Sequence, residues 1–208
     1  MKIVKFPVGE LQANCYLLIK DKECLIIDPG DSADFLLEEI SRKNLTVVAM
    51  LATHGHFDHV MAAGEIQAAL DVPFYISDKD SFLLKRVGET AKYFLGYTPE
   101  ILPLKDTTNL RQGKLQVSSF ELQVQSTPGH TPGSTCFYFP EDGIIFTGDT
   151  LFKDGIGRYD FSYSSKKDLF GSIKQILETI PEEVVMYSGH GDEVILQEVK
   201  TSHSSLFH

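Results

Sequence analysis

The feature that most constrains this chain is a short run in which three histidines and one aspartate fall within six positions: His54, His56, Asp58 and His59. Such clustering is not expected by chance, since the 208 residues include seven histidines. The run follows residues 47–52, whose continuously apolar character is typical of a buried strand. A His-x-His pair leaving a strand can point both imidazoles into one cavity. Imidazole and carboxylate together suit zinc, and iron or manganese nearly as well, so the run predicts a metal site.

Three later segments resemble ligand loops, because each places one polar side chain just after a predicted strand. The side chains are His130, Asp149 and His190. Loops on a rigid scaffold commonly carry functional residues. A single loop histidine is weak evidence, since most are surface residues. Taken with the first run, the three segments predict one site built from both halves of the chain.

Strand-like segments occur in both halves and are bracketed by helical segments. Predicted strands cover residues 14–19, 24–28, 47–52, 73–76, 115–117, 122–126, 134–139, 143–147 and 183–188. Predicted helices cover residues 33–42 (with Ser32 as N-cap), 60–70, much of 79–100, and 166–179. The aromatic side chains of residues 79–100 suggest either a packed surface helix or a roof over the site. The pattern predicts an α/β fold with two sheets packed face to face and helices outside, in one domain over residues 1–208.

The composition and the absence of a recognisable targeting segment indicate which cellular location and which binding partners to expect. A formal net charge of −10 argues against nucleic-acid binding, which usually needs a basic surface. Neither a signal peptide nor a membrane-spanning apolar run is visible, and we therefore predict a cytoplasmic protein without a membrane partner. The oligomeric state is not readable. Three widely spaced cysteines, Cys15, Cys24 and Cys136, are interpreted as buried and inert thiols.

The order His-x-His-x-Asp-His, then a distant His, Asp and His, resembles the metallo-β-lactamase superfamily. The resemblance spans residues 28–191 and implies a four-layer αββα sandwich with its site at one edge of the sheets. It also implies two divalent metal ions, with zinc the first expectation and iron or manganese as alternatives. The implied ligands are His54, His56 and His130 for one metal, Asp58, His59 and His190 for the other, and Asp149 as a bridge.

Within that superfamily the chain looks like the glyoxalase II group of thioester hydrolases. The pattern is carried by the bridging Asp149, by residues 148–152 and by residues 155–158. Arg158 falls where that group often places a basic residue against an anionic substrate, although a surface ion pair is the alternative role. The chain ends 18 residues after His190, without the C-terminal helical domain that clamps glutathione. The resemblance is therefore to short glyoxalase II-like (hydroxyacylglutathione hydrolase-like) proteins, with the thiol part of the substrate open.

This resemblance leads to a mechanistic hypothesis for a small-molecule thioester substrate. A hydroxide bridging two metals would attack the thioester carbonyl. A thiolate leaves easily, since its pKa is about 8.5. Asp58 is the candidate catalytic carboxylate, and a role as metal ligand is favoured over one as proton shuttle. Asp28, Thr53 and Thr131 are expected to orient the ligands.

Three alternatives remain open from the sequence. Residues 157–161 also resemble a segment of persulfide dioxygenases, a branch of the superfamily with one iron held by His54, His56 and His130 or a similar triad. A lactonase would share all the ligands. A non-catalytic protein on the same fold is disfavoured, because such members tend to lose ligands. His203 and His208 receive no role.

Overall fold

The computed structural model describes residues 1–202, so His203 and His208 lie outside the described residues. The N-terminal half forms a six-stranded sheet whose strands follow one another in space as in the chain. They are β1 (Lys2–Val8), β2 (Ala13–Lys20), β3 (Glu23–Ile27), β4 (Thr46–Leu51), β5 (Phe74–Ile76) and β6 (Thr108–Asn109). The pairs β1–β2 and β2–β3 are antiparallel, whereas the pairs from β3 to β6 are parallel.

The C-terminal half supplies the second six-stranded sheet. Its strands are β7 (Gly113–Val117), β8 (Phe120–Ser126), β9 (Thr135–Phe139), β10 (Ile144–Gly148), β13 (Val185–Ser188) and β14 (Val194–Ile195). A small hairpin of β11 (Leu151–Phe152) and β12 (Gly155–Ile156) follows β10. The spatial order is β14-β13-β10-β9-β8-β7, and only β10–β13 is a parallel pair among the described strands of this sheet.

Alternation along β2 shows how the layers are held together. Cys15 and Leu17 pack toward the helices that cover the first sheet, whereas Tyr16 and Leu18 pack between the two sheets. A third apolar cluster joins the second sheet to the C-terminal helices. Successive strand residues point to opposite faces, so strands that are buried on both sides, such as β2 and β3, carry nearly continuous apolar residues. The expected αββα sandwich is therefore confirmed.

Seven helices cover the outer faces of the two sheets in residues 1–202. They are α1 (Ala33–Arg42), α2 (Phe57–Val60), α3 (Ala63–Leu70), α4 (Ser81–Leu84), α5 (Val87–Leu95), α6 (Lys166–Thr179) and α7 (Leu196–Ser202). No helix in this part of the chain is long and apolar enough to cross a lipid bilayer. The helix predicted at residues 166–179 coincides with α6. The sequence did not predict the strands β1, β6, β11, β12 and β14 or the helix α7.

Some predicted boundaries were wrong. Ser32 is not a side-chain N-cap: its φ of 58° is left-handed, and its hydroxyl donates to Asp31 instead. The helix expected at 60–70 is two helices, because the backbone N–H of Ala62 donates to Pro29 rather than within the helix. The earlier of the two begins at Phe57. The region 79–100 is helical only as far as Leu95, where Gly96 with a φ of 78° ends α5.

Candidate metal centre

The structure brings all the predicted ligands to one edge of the two sheets. His54 and His56 follow β4, Asp58 and His59 lie in the short helix α2, and His130, Asp149 and His190 follow β8, β10 and β13. Donor atoms within 4.8 Å of one another form three overlapping groups: His54, His56 and His130; His54, His59 and Asp149; and Asp58, His59 and His190. Side chains distant in the sequence therefore share one site.

The first group presents three imidazole nitrogens to a common point. Nε2 of His54 and Nε2 of His130 each lie 3.0 Å from Nδ1 of His56. Nδ1 of His130 donates to the carbonyl of Arg158 at 2.8 Å, so in the neutral ring Nε2 carries no proton. Nε2 of His56 lies 2.9 Å from the hydroxyl of Tyr163, which leaves Nδ1 free as a ligand when Nε2 is the donor.

The group of Asp58, His59 and His190 is called the second group from here on. Nε2 of His190 lies 3.4 Å from Oδ2 of Asp58, and Nε2 of His59 lies 3.7 Å from the same oxygen. Nδ1 of His59 donates to Asp28 at 3.0 Å, and this bond turns Nε2 toward the site. Two imidazoles and a carboxylate thus converge, and these are donor types that bind divalent metals.

Asp149 lies between the two groups. Its Oδ1 is 3.5 Å from Nε2 of His59, and its Oδ2 is 3.6 Å from Nε2 of His130 and 3.8 Å from Nε2 of His190. One carboxylate therefore faces both clusters of nitrogens. This is the position that the sequence predicts for a bridging ligand.

Two unsatisfied atoms test whether a cation fits the site. Nε2 of His59 and Oδ1 of Asp149 are buried and have no hydrogen-bond partner among the described residues. Because Nδ1 of His59 already donates to Asp28, the neutral ring would turn a bare lone pair toward a carboxylate oxygen. Two acceptors facing each other in a buried site are costly unless a positive charge, either a proton or a metal ion, lies between them. The donor set accordingly fits divalent metal ions.

The pKa values divide the histidines into two classes. Burial lowers the pKa of His54 well below its usual value and that of His56 to about 3, and neighbouring imidazoles add to the effect. Burial also opposes charge on His59, but Asp58, Asp149 and Asp28 raise its pKa to about 10. In the same way, His59 and His190 outweigh burial and hold the pKa of Asp58 below its usual range. The first group therefore favours neutral ligands, while the carboxylates favour positive charge in the second group.

Asp28 and Thr53 support the ligands, as the sequence predicts. Asp28 accepts from the backbone N–H and the hydroxyl of Thr53, both at 2.7 Å, and Thr53 Oγ1 lies 3.1 Å from Nδ1 of His54. Thr131 does not touch a histidine ring in this way. Its hydroxyl donates to Asp80 at 2.7 Å, and its role is therefore indirect.

Other supporting residues were not anticipated from the sequence. Tyr163 reaches His56 from the loop before α6. The side chain of Asn14 on β2 donates to the carbonyls of Ser188 and Gly191 at 3.1 and 2.9 Å and so holds the His190 loop. Neither residue belongs to a local motif, and no signal in the sequence distinguishes it from ordinary strand and loop residues.

A cavity of about 700 Å³ opens over the ligands. Its apolar walls include Phe57, Phe94, Phe152 and Phe161. The aromatic Phe94 comes from α5, so the roof anticipated for residues 79–100 is partly present. The cavity admits a small molecule with an apolar part next to the metal ligands.

Arg158 lies on the cavity wall but already has a partner. Its Nε and Nη2 donate to the two carboxylate oxygens of Asp160, each at 2.9 Å, and its guanidinium lies 4.6 Å from the ring centre of Phe161. The ion pair named as the alternative role of Arg158 is therefore formed. Arg158 also borders the cavity, and its contact with an anionic substrate stays a prediction.

Comparison with known proteins agrees with this architecture. Residues 8–190 match the sequence pattern of the family described as "Metallo-beta-lactamase superfamily". The Probable metallo-hydrolase YqgX of Bacillus subtilis is 37% identical over 93% of this chain and 92% of its own. Hydroxyacylglutathione hydrolase GloC of Haemophilus influenzae is 36% identical over 99% of this chain and 98% of its own.

Solved structures extend the comparison. The crystal structure of the BLEG-1 B3 metallo-beta-lactamase is 31% identical, has a TM-score of 0.89 and is matched over 100% of both chains. The crystal structure of TTHA1623 in a di-iron-bound form is 34% identical, with a TM-score of 0.86 over 97% of this chain and 96% of the other. The matched region, the shared layers and the ligand-rich edge lead to one conclusion: the chain belongs to the metallo-beta-lactamase superfamily, whose members bind divalent metals and include metal-dependent hydrolases.

Proposed function

We propose that this protein hydrolyses a small-molecule thioester and that its site holds two divalent metal ions, with zinc as the first candidate. The observation that carries the proposal is the full set of donors in two groups with Asp149 between them. A one-metal site would need only one group. The second group would then be an unexplained cluster of buried ionisable side chains.

Each group has a distinct place in the proposed site. His54, His56 and His130 would hold one ion, Asp58, His59 and His190 the other, and Asp149 would contact both. When bound, the ions supply an ionised water and a Lewis acid at neutral pH. Asp58 would act as a ligand in this arrangement, since the neighbouring His59 and His190 keep the pKa of its carboxyl below the usual range despite burial.

The cavity walls suit a thioester substrate. Apolar rings line the cavity beside the ligands and would contact the acyl part of a bound molecule. A leaving thiol with a pKa of about 8.5 departs as a thiolate without a dedicated acid. Apart from the ligands, the carboxylates lining the cavity are Asp154 and Asp192, both exposed at its rim. Lys153 and Tyr163 also line the cavity, but a thiolate needs no proton from either, so a thiolate is the leaving group that we propose.

The similarity to GloC supports a hydroxyacyl thioester in particular, because the match covers nearly all of both chains. S-2-hydroxyacylglutathione and related thioesters are the proposed substrates, and glutathione is one candidate for the thiol part. Iron is the second candidate metal, because the similar TTHA1623 structure is a di-iron form. A mononuclear-iron persulfide dioxygenase and a lactonase are the competing activities for the same ligands.

Metal analysis combined with a substrate panel tests the proposal. Purified protein would be analysed for metal content and assayed with S-lactoylglutathione, a neutral acyl thioester, a lactone, a β-lactam and glutathione persulfide under oxygen monitoring. We expect two metal ions per chain and preferential thioester turnover. His56→Ala should lose both metal and turnover, whereas Glu65→Gln on the exposed face of α3 should retain both. One iron per chain with oxygen uptake on the persulfide would contradict the proposal, as would an absence of thioester turnover.

A further inference from the structure

Asp80 is a fully buried carboxylate outside the predicted ligand set. It lies at the end of a 3-10 turn, Asp78–Asp80, directly before α4. An aspartate in this position would ordinarily cap the helix with its side chain. Here the side chain makes no capping hydrogen bond, so its burial has another cause.

The carboxylate instead joins the two loops that carry the first group of histidines. Oδ2 accepts from the backbone N–H of Gly55 at 2.9 Å and from the hydroxyl of Thr131 at 2.7 Å. Oδ1 accepts from the backbone N–H of Gly133 at 2.7 Å. Gly55 separates His54 from His56, and Thr131 follows His130 directly. All three ligands of the group are therefore within one residue of a donor to Asp80.

The glycines in these loops are explained by the same contact. A Cβ at Gly133 would lie 2.5 Å from Cγ of Asp80, and a Cβ at Gly55 would lie 3.0 Å from its Cβ. A larger residue at position 133 would therefore displace the carboxylate, and one at position 55 would crowd the Asp80 side chain. Burial raises the pKa of the Asp80 carboxyl, while the three donors act in the opposite direction.

The second group has a different support. His59 is held by Asp28 and the His190 loop by Asn14. We infer that Asp80 is a positioning residue for the first group alone: it fixes the separation of the His54–His56 loop from the His130 loop and thereby sets the metal affinity of that position. This inference rests on the proposed metal site, but it is independent of the substrate.

Zinc titration of metal-free protein, followed by calorimetry, tests the inference without any substrate. Asp80→Asn keeps the size of the side chain but replaces one acceptor with an N–H donor that faces another donor. The zinc affinity of the first group can be measured in a His190→Ala background, and that of the second group in a His130→Ala background. Asp78→Asn, in the same 3-10 turn but exposed, is the matched control.

In the His190→Ala background we expect Asp80→Asn to weaken zinc binding by about 10- to 100-fold, as is typical for residues that orient metal ligands. In the His130→Ala background we expect a change of less than about twofold, because His59 is held by Asp28 and the His190 loop by Asn14 rather than by Asp80. Asp78→Asn should change neither affinity. A general loss of structure would instead weaken both positions.

Equal losses in the two backgrounds, or no loss in the first, would overturn the inference, as would an absence of zinc binding by the unmodified protein. Thr131→Val provides a second variant that retains the carboxylate should Asp80→Asn not fold. It removes a single donor and should weaken the first position by about two- to tenfold. Failure of thioester turnover with these zinc affinities intact would refute the proposed substrate and leave the role of Asp80 standing.

Discussion

Oδ2 of Asp28 lies 3.0 Å from Nδ1 of His59 and 2.7 Å from the hydroxyl of Thr53, which itself contacts His54. One buried carboxylate, at the end of β3, thus fixes side chains on both sides of the metal centre. The backbone of Asp28 has a left-handed φ of 53°, so the chain changes direction where β3 ends. Orientation of ligands by such a bond commonly decides metal affinity.

The first prediction concerns this carboxylate. Asp28→Asn retains one acceptor but sets an N–H donor against the remaining donors, so we expect zinc affinity to fall by about 10- to 100-fold. Unfolding free energy should fall by about 1–3 kcal/mol, because a buried donor is left unsatisfied. Zinc titration and urea unfolding measure the two effects. Asp34→Asn, exposed on α1, is the control, and an unchanged affinity for Asp28→Asn would contradict this role.

A second prediction concerns the hydroxyl of Tyr163 next to His56. The Tyr163 ring stacks on Phe161 at 5.4 Å and contacts Phe82 edge-on at 5.3 Å, so Tyr163→Phe should keep the loop in place. Loss of one hydrogen bond to Nε2 of His56 should weaken zinc binding by about two- to tenfold. Calorimetric titration would measure the change in zinc affinity. Thermal unfolding should show an unaltered melting temperature. A large fall in melting temperature would indicate that the hydroxyl supports the fold instead.

A third prediction addresses Arg158 and Asp160. Their ion pair is well exposed and therefore contributes little to stability. If Arg158 contacts an anionic thiol part, Arg158→Gln should raise KM for S-lactoylglutathione by about fivefold, which corresponds to about 1 kcal/mol. Asp160→Asn should lower that KM, because the guanidinium loses its internal partner. A neutral thioester serves as the comparison substrate, and equal changes in KM for both substrates would exclude charge recognition by Arg158.

A fourth prediction concerns the thiols and pH. Burial raises the pKa of Cys24 and of Cys136 to about 12, and that of Cys15 is raised as well. Since the thiolate is the reactive form, a pKa of 12 leaves only about one Cys136 thiol in a thousand ionised at pH 9. We expect no alkylation of the native protein by iodoacetamide between pH 7 and 9 on the time scale of minutes, and modification of all three cysteines in urea. Rapid labelling of the native protein would show that these thiols are accessible.

A fifth prediction follows from the unsatisfied atoms of His59 and Asp149. A metal that binds only the folded chain stabilises it by about 2.7 kcal/mol when its concentration is one hundred times its Kd. Chelation should therefore lower the melting temperature, and added zinc should restore it. Differential scanning calorimetry would detect the shift. The His56→Ala variant should show a smaller response, and an equal response would assign the effect to a site elsewhere.

The sequence by itself determined the class of fold and the members of the candidate site. Continuous apolar segments such as residues 47–52, alternating with helical segments, predict buried sheets between helices. The run from His54 to His59 identifies the edge of the sheets where the polar side chains lie. These signals are local, because strand and helix periodicity and ligand spacing are properties of neighbouring residues. The order His130, Asp149, His190 added the remaining donors through the family resemblance.

The tertiary structure alone decided what supports those donors. Asp80 looks like a helix-capping residue, and Tyr163 looks like an ordinary loop aromatic; their contacts with the histidine loops cross 25 and 107 positions of the chain. The tertiary structure also shows that Arg158 is paired with Asp160 and that it borders the cavity. Hydrogen bonds between distant segments depend on how the two sheets pack and on which loops meet at their edge. Periodicity and spacing within one segment do not specify contacts between distant segments. Only the tertiary structure therefore shows which residues hold the metal ligands in place.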